Sequence, residues 1–106
     1  NIMSLIIAVD FDGTVVDHEY PRIGKEKLFA FQTLRALNDK GHRLILWTIR
    51  EGKTLEAAVN YCRENGVEFY AVNETYPGEG YQTGRWLTRQ TFSIKSAFEE
   101  MPKAET

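Results

Sequence analysis

The amino-acid sequence predicts an α/β protein with a Rossmann-like, three-layer α/β/α fold built on a parallel sheet. Two segments of strand length, residues 5–9 and 43–48, are apolar without alternation. Such a pattern is typical of parallel strands whose two faces are both covered by helices. One segment with helical periodicity lies between them and a second one follows. Because strands and helices alternate along the chain, we expect right-handed crossover connections within a single sheet.

The first half of the chain predicts a strand, a loop and a helix. Residues 5–9 form the first strand, and residues 15–24 are polar and broken by proline and glycine, which indicates a loop or a small hairpin. Residues 25–40 are predicted to form the first helix, and Gly41 fits its C-terminal stop. The predicted apolar face of this helix consists of Leu28, Phe29, Phe31, Leu34 and Leu37.

The second half predicts a further strand, a helix and a third strand. Residues 43–48 form the second strand, and a helix that begins near Gly52 ends at Asn65-Gly66. Residues 67–72 are predicted to form the third strand, and residues 91–101 one or two helical turns. The predicted core side chains of the second helix are Leu55, Ala58, Val59 and Cys62.

Length and composition limit the class of protein. The 106 residues are enough for one domain with one hydrophobic core. The 13 Lys and Arg side chains nearly balance the 15 Asp and Glu side chains, which argues against a nucleic-acid or acidic-membrane partner. The longest apolar run has the length of one strand, so we expect neither a transmembrane helix nor a signal peptide. Cys62 is the only cysteine, which excludes an internal disulfide and predicts a reducing, cytoplasmic location.

Two carboxylates, Asp10 and Asp12, follow the first strand with one residue between them. In an extended backbone, side chains two residues apart point to the same side. Two carboxylates that face one small space repel each other. Such a pair persists where a divalent cation neutralises the repulsion, or where one carboxylate attacks while the other transfers protons. The turn that Gly13 permits would let backbone N–H groups curve around a bound group. The plainer alternative is a strand that ends in a common Asp-Gly turn.

A second group of polar residues follows the second predicted strand. Ligands of doubly wound sheets bind at the carboxyl ends of the strands. If the two strands are neighbours, Thr48 lies beside Asp10, where its hydroxyl suits a phosphate oxygen. Alternatively, Thr48 only caps its strand. Arg50 either makes a bidentate phosphate contact or is a solvated loop charge paired with Glu51.

The first strand and the segment Asp10-Phe11-Asp12-Gly13-Thr14 resemble motif I of the haloacid dehalogenase (HAD) superfamily, most of whose members are Mg²⁺-dependent phosphatases. The second strand, ending in Thr48, is similar to motif II. This resemblance implies that Asp10 is a nucleophile that forms an aspartyl-phosphate, and that Asp12 is the acid and base. It also implies that the Asp10 carboxylate and the Asp12 backbone carbonyl hold Mg²⁺. The phosphate-binding residues that it implies are Phe11, Gly13, Thr48, Ile49 and Arg50.

Within the superfamily, residues 20–24 and 47–52 look most like small, capless bacterial phosphatases of the capsule-biosynthesis type. The resemblance implies a phosphomonoester hydrolase with an open site for a phosphorylated small molecule, either a sugar phosphate or a nucleotide. Two alternatives stay open, an inactive HAD remnant that only binds phosphate or metal or acts as an interaction module, and a phosphotransferase. A P-loop is excluded, because Trp47 stands five residues before Gly52, where that motif needs glycine.

The resemblance stops at about residue 80. HAD phosphatases also use a lysine, and an acidic residue or pair after a fourth strand, but no Asp follows Asp39 in this sequence. Lys95 is a weak match for that lysine, because its surroundings are predicted to be helical. We therefore expect a HAD-like core at residues 1–79 that is missing its usual C-terminal strands. Residues 80–106 would form an atypical, partly helical tail from a truncated or frame-shifted end.

The expected absence of a fourth strand has a physical consequence for the first strand. An apolar strand with an unpaired edge recruits another strand. We therefore expect a homo-oligomer, formed through that edge or by exchange of residues 73–106 between subunits.

Overall fold

A parallel sheet and two helices make up the described fold. A computed structural model of the protein describes residues 4–74, 76–79 and 91–94. The strands are β1 (Ile6–Val9), β2 (Arg43–Leu46), β3 (Ala71–Val72) and β4 (Thr91–Ile94), and the helices are α1 (Ala30–Asp39) and α2 (Gly52–Glu64). The strands lie in the order β3-β2-β1-β4, and each adjacent pair is parallel. The predicted α/β class with a parallel sheet is confirmed.

Both helices contribute to the same hydrophobic core. Phe31 and Leu34 from α1 and Cys62 from α2 belong to one buried cluster that also includes Ile7 and Leu44 of the sheet. The path β1–α1–β2–α2–β3 moves in one direction across the sheet, so right-handed crossovers put both helices on one face. Within the described residues, the two helices therefore form one layer on one face of the sheet, and the second helical layer of the predicted three-layer fold stays a prediction.

The opposite face of the sheet carries a smaller buried cluster. Ala8, Ile45 and Ala71 form this cluster, and Trp47 packs against it. The apolar character of β1 and β2 on both faces agrees with burial on both faces, as the absence of alternation predicts.

Helix α1 begins later than its sequence pattern predicts. Residues 25–27 pair instead with the segment after the first strand: the Asp17 N–H donates to Lys25 O at 2.7 Å, and the Lys27 N–H donates to Val15 O at 2.9 Å. Phe29, which precedes the helix, has a φ of 62°. Consequently the Leu28 and Phe29 side chains are 84% and 61% exposed, and their predicted place in the core is wrong.

The same backbone pairing defines a flap, residues 15–27. An antiparallel bridge joins Val16 to Glu26, which confirms the small hairpin among the predicted alternatives. Gly24 is required where the two sides meet, since a Cβ on it would lie 2.1 Å from the Asp17 carbonyl oxygen. The flap is therefore built by backbone hydrogen bonds and one close glycine contact.

The fourth strand is the main correction to the predicted fold. Residues 91–94 were expected to be helical, but they pair with β1 in the register Ile6↔Thr91 to Val9↔Ile94. The sheet thus has a strand that the prediction declared missing, and the edge of β1 is covered. The oligomer was expected because the edge of β1 would be unpaired, and that reason no longer applies. The sequence Thr-Phe-Ser-Ile alternates polar and apolar residues, which is the period of a strand.

Most of the predicted tail lies outside the described residues. This applies to Lys95, to residues 80–90 and to residues 96–106, and hence to the expected tail exchange and truncated end. In the part of the chain that the structure describes, no helix is long and apolar enough to cross a membrane. Helix α2 has the bounds that its sequence pattern predicts.

Candidate functional site at the carboxyl ends of the strands

The carboxyl ends of β1 and β2 bring the first two predicted site residues to the same edge of the sheet. Val9 is opposite Leu46 in the parallel register, and the Trp47 N–H donates to Val9 O at 2.9 Å. Asp10 follows Val9, and Thr48 follows Trp47. The two strands are neighbours, so the condition under which Thr48 was predicted to lie beside Asp10 is met. The Asp10 carboxylate accepts a hydrogen bond at Oδ2 from the Thr14 hydroxyl at 3.0 Å.

A tight turn follows Asp10 and closes on itself. The N–H groups of residues 14–16 all donate to Phe11 O, at 2.9–3.3 Å, and the Gly13 N–H donates to Val16 O at 2.7 Å. Gly13 has a φ of 85°, which explains the need for glycine there. The Phe11 ring is fully buried. In this conformation the Gly13 N–H that was predicted to reach phosphate is already used inside the turn.

Asp12 forms a bidentate ion pair with Arg50. Nε of Arg50 donates to Oδ2 of Asp12, and Nη2 donates to Oδ1, each at 2.7 Å. The Arg50 side chain is fully buried, and the Asp12 side chain is only 12% exposed. Two parallel, charge-assisted hydrogen bonds form the strongest arrangement between these groups. Both carboxylate oxygens of Asp12 are thus engaged inside the protein.

The remaining N–H groups of Arg50 bind backbone carbonyls. Nη1 donates to Pro21 O and Thr54 O at 3.2 Å each, and Nη2 also donates to Arg22 O at 2.8 Å. With the two bonds to Asp12, all five N–H groups of the guanidinium have an acceptor. Arg50 therefore joins three parts of the site: the turn after β1, the flap and the first turn of α2.

The environment of Arg50 stabilises its charge in spite of burial. Its pKa is raised, chiefly by the hydrogen bond to Asp12, although desolvation acts in the opposite direction. The rings of Phe11 and Tyr20 each lie 5.1 Å from its Cζ and add cation–π attraction. Since Arg50 is 1% exposed, the alternative of a solvated charge paired with Glu51 is wrong. In this conformation no N–H of Arg50 is left for the predicted phosphate contact.

Thr48 is held on both sides by neighbouring polar groups. Its hydroxyl oxygen accepts from the Arg50 N–H at 3.1 Å, and its own N–H donates to Asn73 Oδ1 at 2.8 Å. A cavity of about 230 Å³ lies beside these residues, between the ends of β2 and β3. The Ile49 side chain, by contrast, is 90% exposed.

Asn73 is a site residue that the sequence interpretation missed. It follows β3, is buried, and contacts Thr48 through its amide oxygen. An asparagine directly after the third predicted strand was the available signal, because that position shares the edge of the sheet with Asp10 and Thr48.

The described side chains offer a metal ion few ligands. Across residues 4–74, 76–79 and 91–94, no three His, Cys, Asp or Glu side chains are grouped so that they could hold a metal. Asp12 accepts two hydrogen bonds from Arg50, so the carboxylate that the Mg²⁺ prediction needs at this edge is that of Asp10, which itself accepts from the Thr14 hydroxyl. Mg²⁺ commonly binds proteins through one or two carboxylates and keeps several waters. The residues fit such a water-rich site.

The fold and the site together define a parallel α/β protein with a polar cluster at the carboxyl ends of its strands. A solved structure, that of the conserved protein coded by a locus from Bacteroides thetaiotaomicron, is 46% identical to this chain, with a TM-score of 0.77. The match covers 88% of this chain and 76% of that one, and the chain belongs to the same family as that conserved protein. No family model and no curated protein matches the chain.

Proposed function

We propose that the protein is a Mg²⁺-dependent phosphomonoester hydrolase of the HAD type that acts through an aspartyl-phosphate on Asp10. The observation that carries this proposal is the parallel pairing of β1 with β2, because it puts Asp10 and Thr48 at neighbouring strand ends. The resemblance of both segments to the HAD motifs supports it. The single cysteine fits the reducing cytoplasm, where we place the protein.

In the proposed reaction, a carboxylate oxygen of Asp10 attacks phosphorus while the bond from phosphorus to the leaving oxygen breaks, and the leaving oxygen takes a proton from water. Water then hydrolyses the aspartyl-phosphate and regenerates the carboxylate. The Thr14 hydroxyl orients the carboxylate through its bond to Oδ2. The hydroxyl oxygen of Thr48 already accepts from the Arg50 N–H, so its proton is available to a phosphate oxygen.

The cation in this proposal would be held by the Asp10 carboxylate and the backbone carbonyl of Asp12. When bound, Mg²⁺ would neutralise phosphate charge and so lower the repulsion between two anions. Because few protein ligands contribute, we expect weak binding that depends on millimolar-range Mg²⁺ rather than a tightly held ion.

The enzyme proposal predicts that Asp10→Asn abolishes hydrolysis. We expect wild-type protein to hydrolyse p-nitrophenyl phosphate with Mg²⁺, and the variant to be slower by at least ~10³-fold, since the amide cannot form the aspartyl-phosphate. Asp39→Asn, the same change at the exposed C-terminal end of α1, is the matched control and should retain the wild-type rate. Equal rates for wild type and Asp10→Asn would remove the enzyme claim.

A second candidate function is favoured by the ion pair between Asp12 and Arg50. A group that transfers protons needs an accessible oxygen, and both Asp12 oxygens accept N–H groups of a buried guanidinium. The chain would then be a phosphate-binding or interaction module without turnover. Inorganic phosphate titrated into ¹⁵N-labelled protein separates the two: perturbed Thr48 and Asp10 amides without hydrolysis would support the module and contradict the hydrolase.

A further inference from the structure

We propose that the cavity between the ends of β2 and β3 binds the leaving group of the phosphorylated substrate, and that Asn73 determines its specificity by donating a hydrogen bond to a hydroxyl oxygen. This inference rests on the proposed function and deepens it. It assigns the substrate class as phosphorylated polyols or small sugars, rather than nucleotides.

The geometry of Asn73 is the first observation. Its backbone N–H donates to Leu46 O at 2.7 Å. Its φ is 55°, a left-handed backbone conformation that residues other than glycine rarely adopt. Asparagine tolerates this conformation better than most residues. The strand end therefore holds Asn73 in a defined position, and unusual backbone conformations of this kind cluster at ligand sites.

The orientation of the Asn73 amide is the second observation. An N–H donor needs an oxygen, so the bond from the Thr48 N–H at 2.8 Å identifies which end of the carboxamide is Oδ1. The opposite end carries the two N–H groups of Nδ2, and none of the described residues accepts from them. Asn73 is only 8% exposed. A buried donor without an acceptor is rare in proteins, which points to an acceptor supplied by a ligand.

The cavity beside Asn73 has the lining that a small polar leaving group requires. Thr48 and Asn73 contribute polar groups, whereas Ile49, Leu55 and Val72 contribute apolar surface. Its volume of about 230 Å³ lies below the roughly 300–1,000 Å³ of pockets that take drug-sized ligands. The cavity therefore suits a short polyol or a small sugar better than a nucleoside.

The spacing of the strands allows one small molecule to contact both Asp10, at the end of β1, and Asn73, at the end of β3. Neighbouring strands lie about 4.8 Å apart, so the ends of β1 and β3 are separated by about 10 Å. A phosphoryl group at Asp10 and Thr48 would place its leaving group across the end of β2. A hydroxyl a few bonds from phosphorus would then meet the Nδ2 donors of Asn73.

The test is a comparison of two ligands that differ only in their hydroxyl groups. Glycerol 1-phosphate and propyl phosphate are titrated by calorimetry into wild type and Asn73→Asp, without Mg²⁺ so that neither ligand is hydrolysed. The substituted carboxylate keeps the acceptor for the Thr48 N–H and tolerates the same backbone conformation, but removes both donors. We expect wild type to prefer glycerol 1-phosphate by about tenfold in Kd, and Asn73→Asp to lose that preference.

The ratio of the two Kd values distinguishes recognition of the ligand hydroxyl from the effect of the added charge, because the new carboxylate repels both phosphates alike. Asn60→Asp, the same change on the exposed surface of α2, should keep the tenfold ratio. A wild type that binds the two ligands equally or binds neither, or a ratio that persists in Asn73→Asp, would overturn the inference. If wild type prefers glycerol 1-phosphate and Asn73→Asp does not, but wild type hydrolyses no phosphomonoester when Mg²⁺ is added, the result contradicts only the proposed hydrolase.

Discussion

Arg50 illustrates how much of this site depends on one buried side chain. Its guanidinium donates two hydrogen bonds to Asp12, two to carbonyl oxygens of the flap and one to a carbonyl oxygen of α2. A buried ion pair contributes little compared with a well-packed apolar pair, but the removal of one partner leaves the other charge unpaired. The position of the flap relative to Asp12 is therefore coupled to Arg50.

The first prediction concerns the stability of an Arg50→Met variant. We expect a loss of about 3–5 kcal/mol in the free energy of unfolding, because Asp12 would remain as a largely buried, unpaired carboxylate. Urea denaturation measures the change. Arg35→Met is the matched control: Arg35 is exposed and makes one hydrogen bond, to Asn65 O, so we expect a loss below about 1 kcal/mol.

A double variant tests whether the ion pair is the cause. Asp12→Leu combined with Arg50→Met removes both charges, so the combined loss should be smaller than the sum of the two single losses. Additive losses would show that Arg50 acts through its backbone contacts to the flap and α2 instead of through Asp12.

At the scale of elements, the flap decides where α1 begins. The sequence between Lys25 and Phe29 has helical periodicity, but its backbone groups are used in pairing with residues 15–17. A residue whose N–H and C=O already bond to a hairpin partner cannot also join a helical ladder. Tertiary pairing thus overrides a local pattern, and this exposes Leu28 and Phe29.

The second prediction compares two glycine substitutions. Gly24→Ala should destabilise the protein by about 2–3 kcal/mol, because the new Cβ meets the Asp17 carbonyl oxygen at 2.1 Å and forces the flap open. Gly41→Ala meets no atom within 4 Å and suffers only the strain of its φ of 89°, about 1 kcal/mol. Thermal unfolding of both variants checks the order, and an equal or smaller loss for Gly24→Ala would contradict the close contact.

In the whole molecule, β1 is one of the two interior strands of the described sheet. It is paired with β2 on one side and with β4 on the other, in parallel register along its full length. This arrangement replaces the expected apolar edge by a covered one, so edge-to-edge association is not required by the fold.

The third prediction is that the amide protons of β1 exchange with the slowest rates in the chain. Alternate N–H groups of a central strand face its two neighbours, so the complete set is protected only if both strands are paired. Hydrogen exchange followed by NMR measures this, with the short strand β3 as the internal comparison. Fast exchange at every second residue of β1 would show that β4 does not pair with it.

Local patterns in the sequence are enough to predict several elements of this fold. The apolar runs of β1 and β2 and the face and bounds of α2 follow from periodicity. The adjacency of Asp10 to Thr48 follows from the rules of parallel sheets on the condition that β1 and β2 are neighbours. These features need no knowledge of distant residues, because burial on both faces and crossover handedness are general properties of such folds.

The partners of the polar side chains could not be predicted without the folded structure. Arg50 and Asp12 are 38 residues apart, and Thr48 and Asn73 are 25 apart, so neither contact has a local signal. The pairing of β4 with β1 also joins segments that are far apart in the chain, although the alternating sequence of β4 fits a strand. Hydrogen bonds between distant groups form only when the fold closes the loops between them, and their geometry is a property of the assembled sheet.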